Sequence, residues 1–262
     1  MAFFAGIDVG SVTTKVVITR DSELTAYHLV PSGANYKMAA QKAMEEVLAK
    51  AGLSLKDIAC IVATGYGAGN ADFATLQVTD ISCCAKGVNH LFPSVRTVID
   101  VGGQASKAIR VNEEGRSINF VVSERCAAGS GRFLQIIARV LQIELGDVGP
   151  LSLQAKKPVI YTTSCAVFGE SEAISRIAEG TPKEDILAGV HNAMALKIYI
   201  LVSGVGLEEE CAIAGGGALD VGLIKRLEEK LGVHLLVPPQ PQIMAALGAA
   251  LMAEERSLAL AS

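Results

Sequence analysis

The sequence predicts an α/β protein built from two halves of like topology. Half of the 262 residues are hydrophobic, 26 are glycine and 19% are charged, which is typical of a packed protein with tight turns. Runs with strand-like alternation are interspersed with segments of helical spacing. A strand–Asp–Gly–strand–strand pattern occurs twice, about 92 residues apart, as expected of an internal duplication.

The first half begins with three short strands and continues with alternating helix and strand. The Gly at position 52 is a typical helix stop, and Pro93 ends the last helix of this half. The predicted elements are strands at Phe3–Val9, Thr13–Arg20, Glu23–Val30 and Ile58–Thr64, and helices at Tyr36–Ala51 and Asp80–Phe92.

The same opening pattern restarts after Ser94, where we place the domain boundary. The first half is thus 1–94, completed by a C-terminal helix over 242–256, and the second half is 95–241. The second half is predicted to contain strands at Val95–Val101, Ser106–Asn112, Ile118–Val122, Pro158–Thr162 and Glu210–Ala214. Its predicted helices are Gly131–Gln142, Ser171–Glu179, Lys183–Val205 and Leu219–Leu231, followed by the closing helix Gln242–Glu255.

Charge and hydropathy exclude several classes of function. The net charge of −4 predicts no general affinity for nucleic acid or an anionic membrane. The start MAFFAGIDVG lacks the basic region of a signal peptide, and the apolar run at Ala193–Val205 is interrupted and reads as a buried helix. We therefore expect a cytoplasmic protein whose six cysteines are reduced.

The segment Asp8–Lys15 has the composition of a phosphate-binding turn. Gly10 allows a tight turn whose backbone N–H groups bind phosphate oxygens, and Ser11 and Thr13 add hydroxyl donors. Lys15 adds a positive charge for a phosphate, and the strand-end carboxylate of Asp8 is suited to Mg²⁺, directly or through water.

Two further glycine-rich segments follow strands in the second half. In the first, Asp100 repeats the strand-end carboxylate as a second candidate ligand for Mg²⁺, and Gln104 is placed to orient an attacking water. Taken alone, each of these segments is equally consistent with an ordinary turn. Their order along the chain, together with the duplication, predicts a nucleotide site. The glycines expected to approach the nucleotide are Gly102 and Gly103 for phosphate and Gly215, Gly216 and Gly217 for adenosine.

Two cysteines, Cys126 and Cys165, are each followed by a predicted helix. A helix N-terminus favours negative charge and so supports a thiolate ligand. One chain supplies two such thiolates, whereas a 4Fe-4S cluster takes four, so a symmetric dimer sharing one cluster satisfies the count. Two buried core thiols or a dimer-bridging zinc site remain alternative interpretations.

These motifs resemble those of a known family. The phosphate and adenosine segments, with the closing helix Ala245–Ala250, are similar to the actin-like ATPase superfamily. Over nearly its whole length the chain resembles the BadF/BadG/BcrA/BcrD ATPase family, within it the activators (component A) of 2-hydroxyacyl-CoA dehydratases. The motifs that carry this resemblance are Asp8–Ser11, Ala63–Gly67, Asp100–Gln104, Cys126–Phe133 and Ser164–Glu172.

The resemblance implies two RNase H-like halves with ATP in the cleft between them, and an ATPase coupled to electron transfer. It implies a homodimer with one bridging 4Fe-4S cluster on Cys126 and Cys165, reduced by ferredoxin or flavodoxin. The electron then passes to an iron–sulfur partner of the dehydratase, benzoyl-CoA reductase or double-cubane type. Glu172 is a candidate nucleotide contact, and Ala105 departs from the family pattern, which usually has Asp there.

Two alternatives fit the same fold. One is a small-molecule kinase, which the absence of a clear Asp base beside a sugar-binding segment disfavours. The other is a nucleotide-dependent scaffold with a structural zinc. Bound iron, kinase activity and stoichiometric zinc are the observations that separate the three hypotheses.

Overall fold

The computed structural model describes residues 2–123, 127–161 and 166–261, which form two compact units. Unit 1 comprises Met1–Val95, Val111–Ile118 and Pro238–Ser262, and unit 2 comprises Arg96–Arg110 and Asn119–Val237. The division into halves at 94/95 and 242 stays a prediction, because compactness does not show that a segment folds independently.

The sheet of unit 1 has five strands in the order β3-β2-β1-β4-β5. The central strand β1 runs antiparallel to β2 and parallel to β4, and its interior side chains are almost all buried. Because β1 is covered on both faces, it reads as a continuous apolar run. The strands are β1 (Phe3–Val9), β2 (Thr13–Arg20), β3 (Glu23–Pro31), β4 (Ile58–Thr64) and β5 (Leu76–Gln77).

The second sheet also has five strands, and their order, β10-β9-β6-β7-β8, repeats the first topology. Strand β6 is antiparallel to β7 and parallel to β9, as β1 is to β2 and β4. The predicted internal duplication is therefore confirmed. The strands are β6 (Thr97–Val101), β7 (Ser106–Val111), β8 (Ser117–Val122), β9 (Cys211–Ala214) and β10 (Leu235–Leu236).

The predicted helices are present with differences at their ends, among them a start at Ala166 instead of Ser171, and the short helix at Val148–Ser152 was not predicted. Helix α1 begins after Asn35, whose side chain accepts a hydrogen bond from the Met38 amide at 3.1 Å, and ends at Gly52, in the left-handed conformation. The helices are α1 (Tyr36–Ala51), α2 (Asp80–Leu91), α3 (Gly131–Leu141), α4 (Val148–Ser152), α5 (Ala166–Ala178), α6 (Lys183–Val205), α7 (Val221–Leu231) and α8 (Met244–Ala261).

The strand predicted at Pro158–Thr162 is wrong for residues 158–161, which form no regular structure. The backbone here hydrogen-bonds to the start of α6 instead of to a sheet. The amide of Val159 donates to the Asp185 carbonyl at 2.9 Å, and those of Lys156 and Lys157 donate to its carboxylate at 2.8 Å each. The segment was predicted as a strand from its local sequence, but in the structure its backbone bonds to a helix. The local sequence does not show which element a segment contacts.

Helix α6 is long and apolar enough to cross a membrane by length and composition alone. However, 61% of its apolar window is buried within the protein. Its buried side chains, including Ile186, Met194 and Ile198, belong to the hydrophobic core of unit 2. The helix is therefore explained as a core element, as the interrupted apolar run predicted.

Helix α8, the last of the chain, completes unit 1. It packs so closely on β1 and α2 that only glycine fits at three contact positions. A Cβ atom at Gly6 would overlap the Ala246 carbonyl, one at Gly87 that of Met244, and one at Gly248 that of Cys83. This direct approach of the α2 and α8 backbones needs small residues and excludes larger ones.

Candidate functional site

In unit 1, the turn between β1 and β2 places a lysine beside the strand-end aspartate. Asp8 and Lys15 are directly opposite in the antiparallel register, and the Lys15 ammonium donates to Asp8 Oδ2 at 2.8 Å. The side chains are only 11% and 13% exposed for Asp8 and Lys15, respectively. The Gly10 amide closes the turn on the Thr13 carbonyl at 3.1 Å. The geometry therefore fixes both charges at the mouth of one tight turn.

Unit 2 contains the same arrangement between β6 and β7. Asp100 faces Lys107 across the register, and the ammonium donates to Asp100 Oδ2 at 3.0 Å. The Gly102 amide closes this turn on the Ala105 carbonyl, again at 3.0 Å. The duplication thus preserves the ion pair as well as the turn.

In each unit, the loop that follows the neighbouring parallel strand packs the backbone of a glycine against the aspartate. Gly65 follows β4 with φ +89°, and a Cβ there would overlap Asp8 Oδ1. Gly215 follows β9 with φ +82°, and a Cβ there would lie 2.5 Å from Asp100 Oδ1. Glycine is required at both positions for the positive φ and for the close approach. Each carboxylate therefore has one oxygen against a glycine backbone and the other on a lysine.

Replacing Gly215 with alanine should weaken binding of an ATP analogue by about tenfold to 10²-fold, because the new methyl group displaces the Asp100 carboxylate. Gly180→Ala is the matched control, since Gly180 also has a positive φ, +78°, but has open space around it. Only the Gly215 variant places a methyl group against a carboxylate, so only this variant should raise the dissociation constant in calorimetric titration. Equal affinities in the two variants would contradict this assignment.

The structure brings most of the predicted phosphate residues into these two turns. Gly10, Ser11 and Thr13 form the first turn, and Gly102, Gly103 and the exposed Gln104 form the second. Gly215, the exposed Gly216 and the buried Gly217 form the loop after β9. Their roles with a nucleotide stay predictions.

Glu172 lies elsewhere in unit 2, on helix α5. Its side chain is 14% exposed, and one carboxylate oxygen lies 3.6 Å from the Arg176 guanidinium, one helical turn away. This ion pair accounts in part for the position of the Glu172 carboxylate without a bound nucleotide. Its role as a nucleotide contact stays a prediction.

Sequence reasoning missed two parts of the duplicated constellation. It assigned a charge role to Lys15 but none to Lys107, and it gave the Gly65–Gly67 loop no partner. The repeat spacing carried the signal for Lys107, because Asp8 and Lys15 are as far apart as Asp100 and Lys107. The glycine loops were harder to recognise, since their contact with the aspartates depends on which strands pair.

The six cysteines separate into two classes. The predicted ligands Cys126 and Cys165 lie outside the described residues. Burial raises the pKa of Cys83 and of Cys211 to about 12. A buried thiol of this kind stays protonated and is a poor metal ligand. The other four cysteines are free and buried: Cys60, Cys83, Cys84 and Cys211.

Within the described ranges, no three His, Cys, Asp or Glu side chains converge as a metal site would require. The assignment of Cys126 and Cys165 as thiolate ligands stays a prediction. Two thiolates per chain match half of the four that a cubane cluster takes.

Comparison with known proteins identifies the family. The sequence profile described as the BadF/BadG/BcrA/BcrD ATPase family matches residues 5–253. The chain belongs to this family. The BadF/BadG/BcrA/BcrD assignment confirms the resemblance that the motifs indicated.

Named relatives of this family are similar over nearly the full chain. The (R)-2-hydroxyglutaryl-CoA dehydratase activating ATPase of Acidaminococcus fermentans is 40% identical over 254 residues, covering 96% of this chain and 97% of that protein. A subunit of the benzoyl-CoA reductase of Thauera aromatica is 34% identical over 263 residues, covering 96% of this chain and 93% of that protein.

Solved structures confirm the fold. The activator of the 2-hydroxyisocaproyl-CoA dehydratase from Clostridium difficile, with bound ADPNP, superposes with a TM-score of 0.94 at 34% identity, over 99% of this chain and 97% of that one. A ROK family glucokinase from Streptomyces griseus, at 12% identity and a TM-score of 0.59, shows likeness of fold alone. The BadF/BadG/BcrA/BcrD chain therefore has the predicted α/β, actin-like ATPase fold.

Proposed function

We propose that this chain is an ATP-dependent reductive activator, which couples ATP hydrolysis to transfer of one low-potential electron to an iron–sulfur partner enzyme. The duplicated Asp–Lys–Gly constellation carries the ATPase part of the proposal. The two carboxylates are suited to Mg²⁺, and the lysines and turn N–H groups beside them are suited to the phosphates of a nucleotide. Membership of the ATPase family and the ADPNP-bound relative support this chemistry.

Each constellation supplies groups that phosphoryl transfer needs. Asp8 and Asp100 would hold Mg²⁺, directly or through its waters, and Lys15 and Lys107 would balance the phosphate charge. Gln104 is exposed in the second turn and would orient the attacking water. Each lysine forms an ion pair with its aspartate, so the positive and negative charges of each turn are balanced before a cation or a phosphate binds.

The thiol chemistry supports a cluster shared by two chains. With four thiols buried in the hydrophobic cores, Cys126 and Cys165 are the available donors, and two copies of the chain supply four thiolates. We propose a homodimer with one 4Fe-4S cluster on these residues. The cluster, when bound, supplies reversible one-electron transfer.

The partners follow from this chemistry. A cytoplasmic ferredoxin or flavodoxin would supply the electron, and an iron–sulfur enzyme would accept it. The relatives named above support an acceptor of the 2-hydroxyacyl-CoA dehydratase or benzoyl-CoA reductase type. A double-cubane cluster protein is a third acceptor class with the same electron chemistry.

One anaerobic purification tests the proposal as a whole. The expected product is a brown dimer with about four iron and four sulfide per two chains, and with Mg-dependent ATPase activity. A colourless protein that phosphorylates a small molecule would show a kinase instead. Stoichiometric zinc without ATP turnover would show a scaffold, and either result would overturn the proposal.

Replacing Cys126 or Cys165 with serine should reduce bound iron to about a tenth or less, since an alcohol does not replace a thiolate in the cluster. Cys60→Ser is the control, because this thiol is buried in the core of unit 1 and should keep full iron content. The measurement is iron and sulfide per dimer after anaerobic purification. A full cluster in either single variant would remove that residue from the ligand set.

A further inference from the structure

A buried polar cluster in unit 2 joins the end of the loop after β9 to helices α4 and α6. Its centre is His191 on α6, which is fully buried. The ring atom Nε2 lies 3.1 Å from Asp220 Oδ2, and Nδ1 lies 2.9 Å from the Ser152 hydroxyl. A carboxylate only accepts hydrogen bonds, so Nε2 is a nitrogen that donates, to Asp220. Ser152 in turn donates to the Gly149 carbonyl at 2.7 Å, within α4.

The three side chains are those of a Ser–His–Asp hydrolase, but their surroundings exclude that function. Ser152 is only 2% exposed. A Cβ atom at Gly222 would overlap both the Ser152 hydroxyl and the His191 ring, so glycine backbone fills the space beside them. A nucleophile has to be reached by its substrate, and this hydroxyl is closed off. The cluster is therefore a link between elements, and the group it fixes is Asp220.

Asp220 holds the end of the Gly215–Gly217 loop. Its amide donates to the Gly217 carbonyl at 3.1 Å, and its Oδ1 accepts from the Leu223 amide at 2.9 Å at the start of α7. Because Oδ2 faces His191, both carboxylate oxygens have a partner. Asp220 thus ties the loop, the start of α7 and the buried imidazole together.

The equivalent loop of unit 1 is held differently. Asn70 occupies the position of Asp220, since each lies five residues after the positive-φ glycine of its loop, Gly65 or Gly215. Asn70 is exposed, and its side-chain amide donates to the Gly67 carbonyl at 3.0 Å, within its own loop. Among the residues that the structure describes, only the loop predicted to contact adenosine is thus tied to a buried histidine.

We propose that His191 is a positioning residue for the adenosine part of the nucleotide. By donating to Asp220, it holds the Gly215–Gly217 loop in the conformation that adenosine contacts. The inference rests on the proposed function, because it takes this loop as the adenosine contact. Asp220 ties the loop at Gly217 and not at Gly215, where the loop meets the Asp100 carboxylate. Loss of the link should therefore weaken binding of ATP more than it slows hydrolysis of bound ATP.

Two substitutions at His191 separate the hydrogen bond to Asp220 from the loss of the ring. The amide nitrogen of glutamine can take the place of Nε2, whereas the shorter asparagine side chain reaches only the place of Nδ1. His191→Asn should raise the KM for ATP about tenfold and leave kcat within about twofold, whereas His191→Gln should keep KM within about threefold of the unaltered chain. Steady-state phosphate release by the full chain, purified anaerobically, measures both constants.

Scanning calorimetry supplies the control for folding. Both substitutions replace the same buried ring, so they should lower the transition temperature by similar amounts while only His191→Asn raises KM. Ser152→Ala is the second variant, for use if His191→Asn does not fold. It removes only the hydroxyl that orients the ring, and it should raise KM about threefold without changing kcat.

The outcomes separate this role from the proposed function. An unaltered chain that neither binds nor hydrolyses ATP refutes the proposed function itself. With ATP hydrolysis intact, an unchanged KM in His191→Asn, or in Ser152→Ala where that variant carries the test, overturns the role of His191 alone. An equal rise of KM in His191→Asn and His191→Gln, or a fall in kcat as large as the rise in KM, would also overturn it.

Discussion

Replacing Asp100 with asparagine should lower the rate of ATP hydrolysis by roughly 10²–10³-fold, the usual effect of removing one preorganised charged group from such a site. The amide keeps the size of the carboxylate but loses its charge, so it holds Mg²⁺ poorly and removes the ion pair with Lys107. The contact at risk is the 3.0 Å hydrogen bond from Lys107 to Asp100 Oδ2. Steady-state phosphate release with saturating Mg-ATP measures the effect.

Asp185→Asn supplies a control with the same chemical change. Asp185 is buried, whereas Asp100 is partly buried, and the Asp185 carboxylate accepts two backbone amides at 2.8 Å each, outside the phosphate turns. This variant should lose stability but keep the rate of ATP hydrolysis within about twofold. The hydrogen bonds that the Asp185 carboxylate accepts stabilise the fold and take no part in ATP hydrolysis. Equal losses of turnover in Asp100→Asn and Asp185→Asn would show that the Asp100 effect is structural.

Gly248→Ala should destabilise the protein by about 3 kcal/mol or more, the upper range for overpacking a close contact. The added Cβ would overlap the Cys83 carbonyl of α2, which is backbone and cannot rotate away. Helices α2 and α8 would then have to separate, exposing apolar surface of unit 1. Scanning calorimetry should show a transition roughly 6–12 °C lower than that of the unaltered chain.

Gly146→Ala tests whether the position, and not the extra methyl group, causes the loss. Gly146 lies in a 3₁₀ turn, and a Cβ there would meet no atom within 4 Å. Its transition should stay within about 2 °C of that of the unaltered chain, since surface substitutions usually change stability by less than about 0.5 kcal/mol. A comparable fall for both glycines would refute the close-packing explanation.

The sequence predicted best those elements whose ends carry local signals. Helix α1 begins and ends where Tyr36–Ala51 was predicted, because Asn35 and Gly52 cap it through contacts within a few residues. Strand β4 has the predicted bounds as well. The edge strands β5 and β10 were missed, because two residues are too few to establish an alternating pattern.

By itself the sequence predicted the two turns, since an aspartate, a glycine and a hydroxyl close together in the chain favour a tight turn through local backbone geometry. Phosphate binding at these turns stays a prediction. The sequence also indicated the duplication and, through the two cysteines that precede predicted helices, predicted a second chain for a four-thiolate cluster.

Tertiary structure alone decided what each turn contacts. The strand register sets Lys107 beside Asp100, parallel pairing brings the glycine loops to the carboxylates, and a buried histidine ties the loop after β9 to α6. These contacts join residues distant in the chain, and they form because a folded sheet brings its strand ends to one edge.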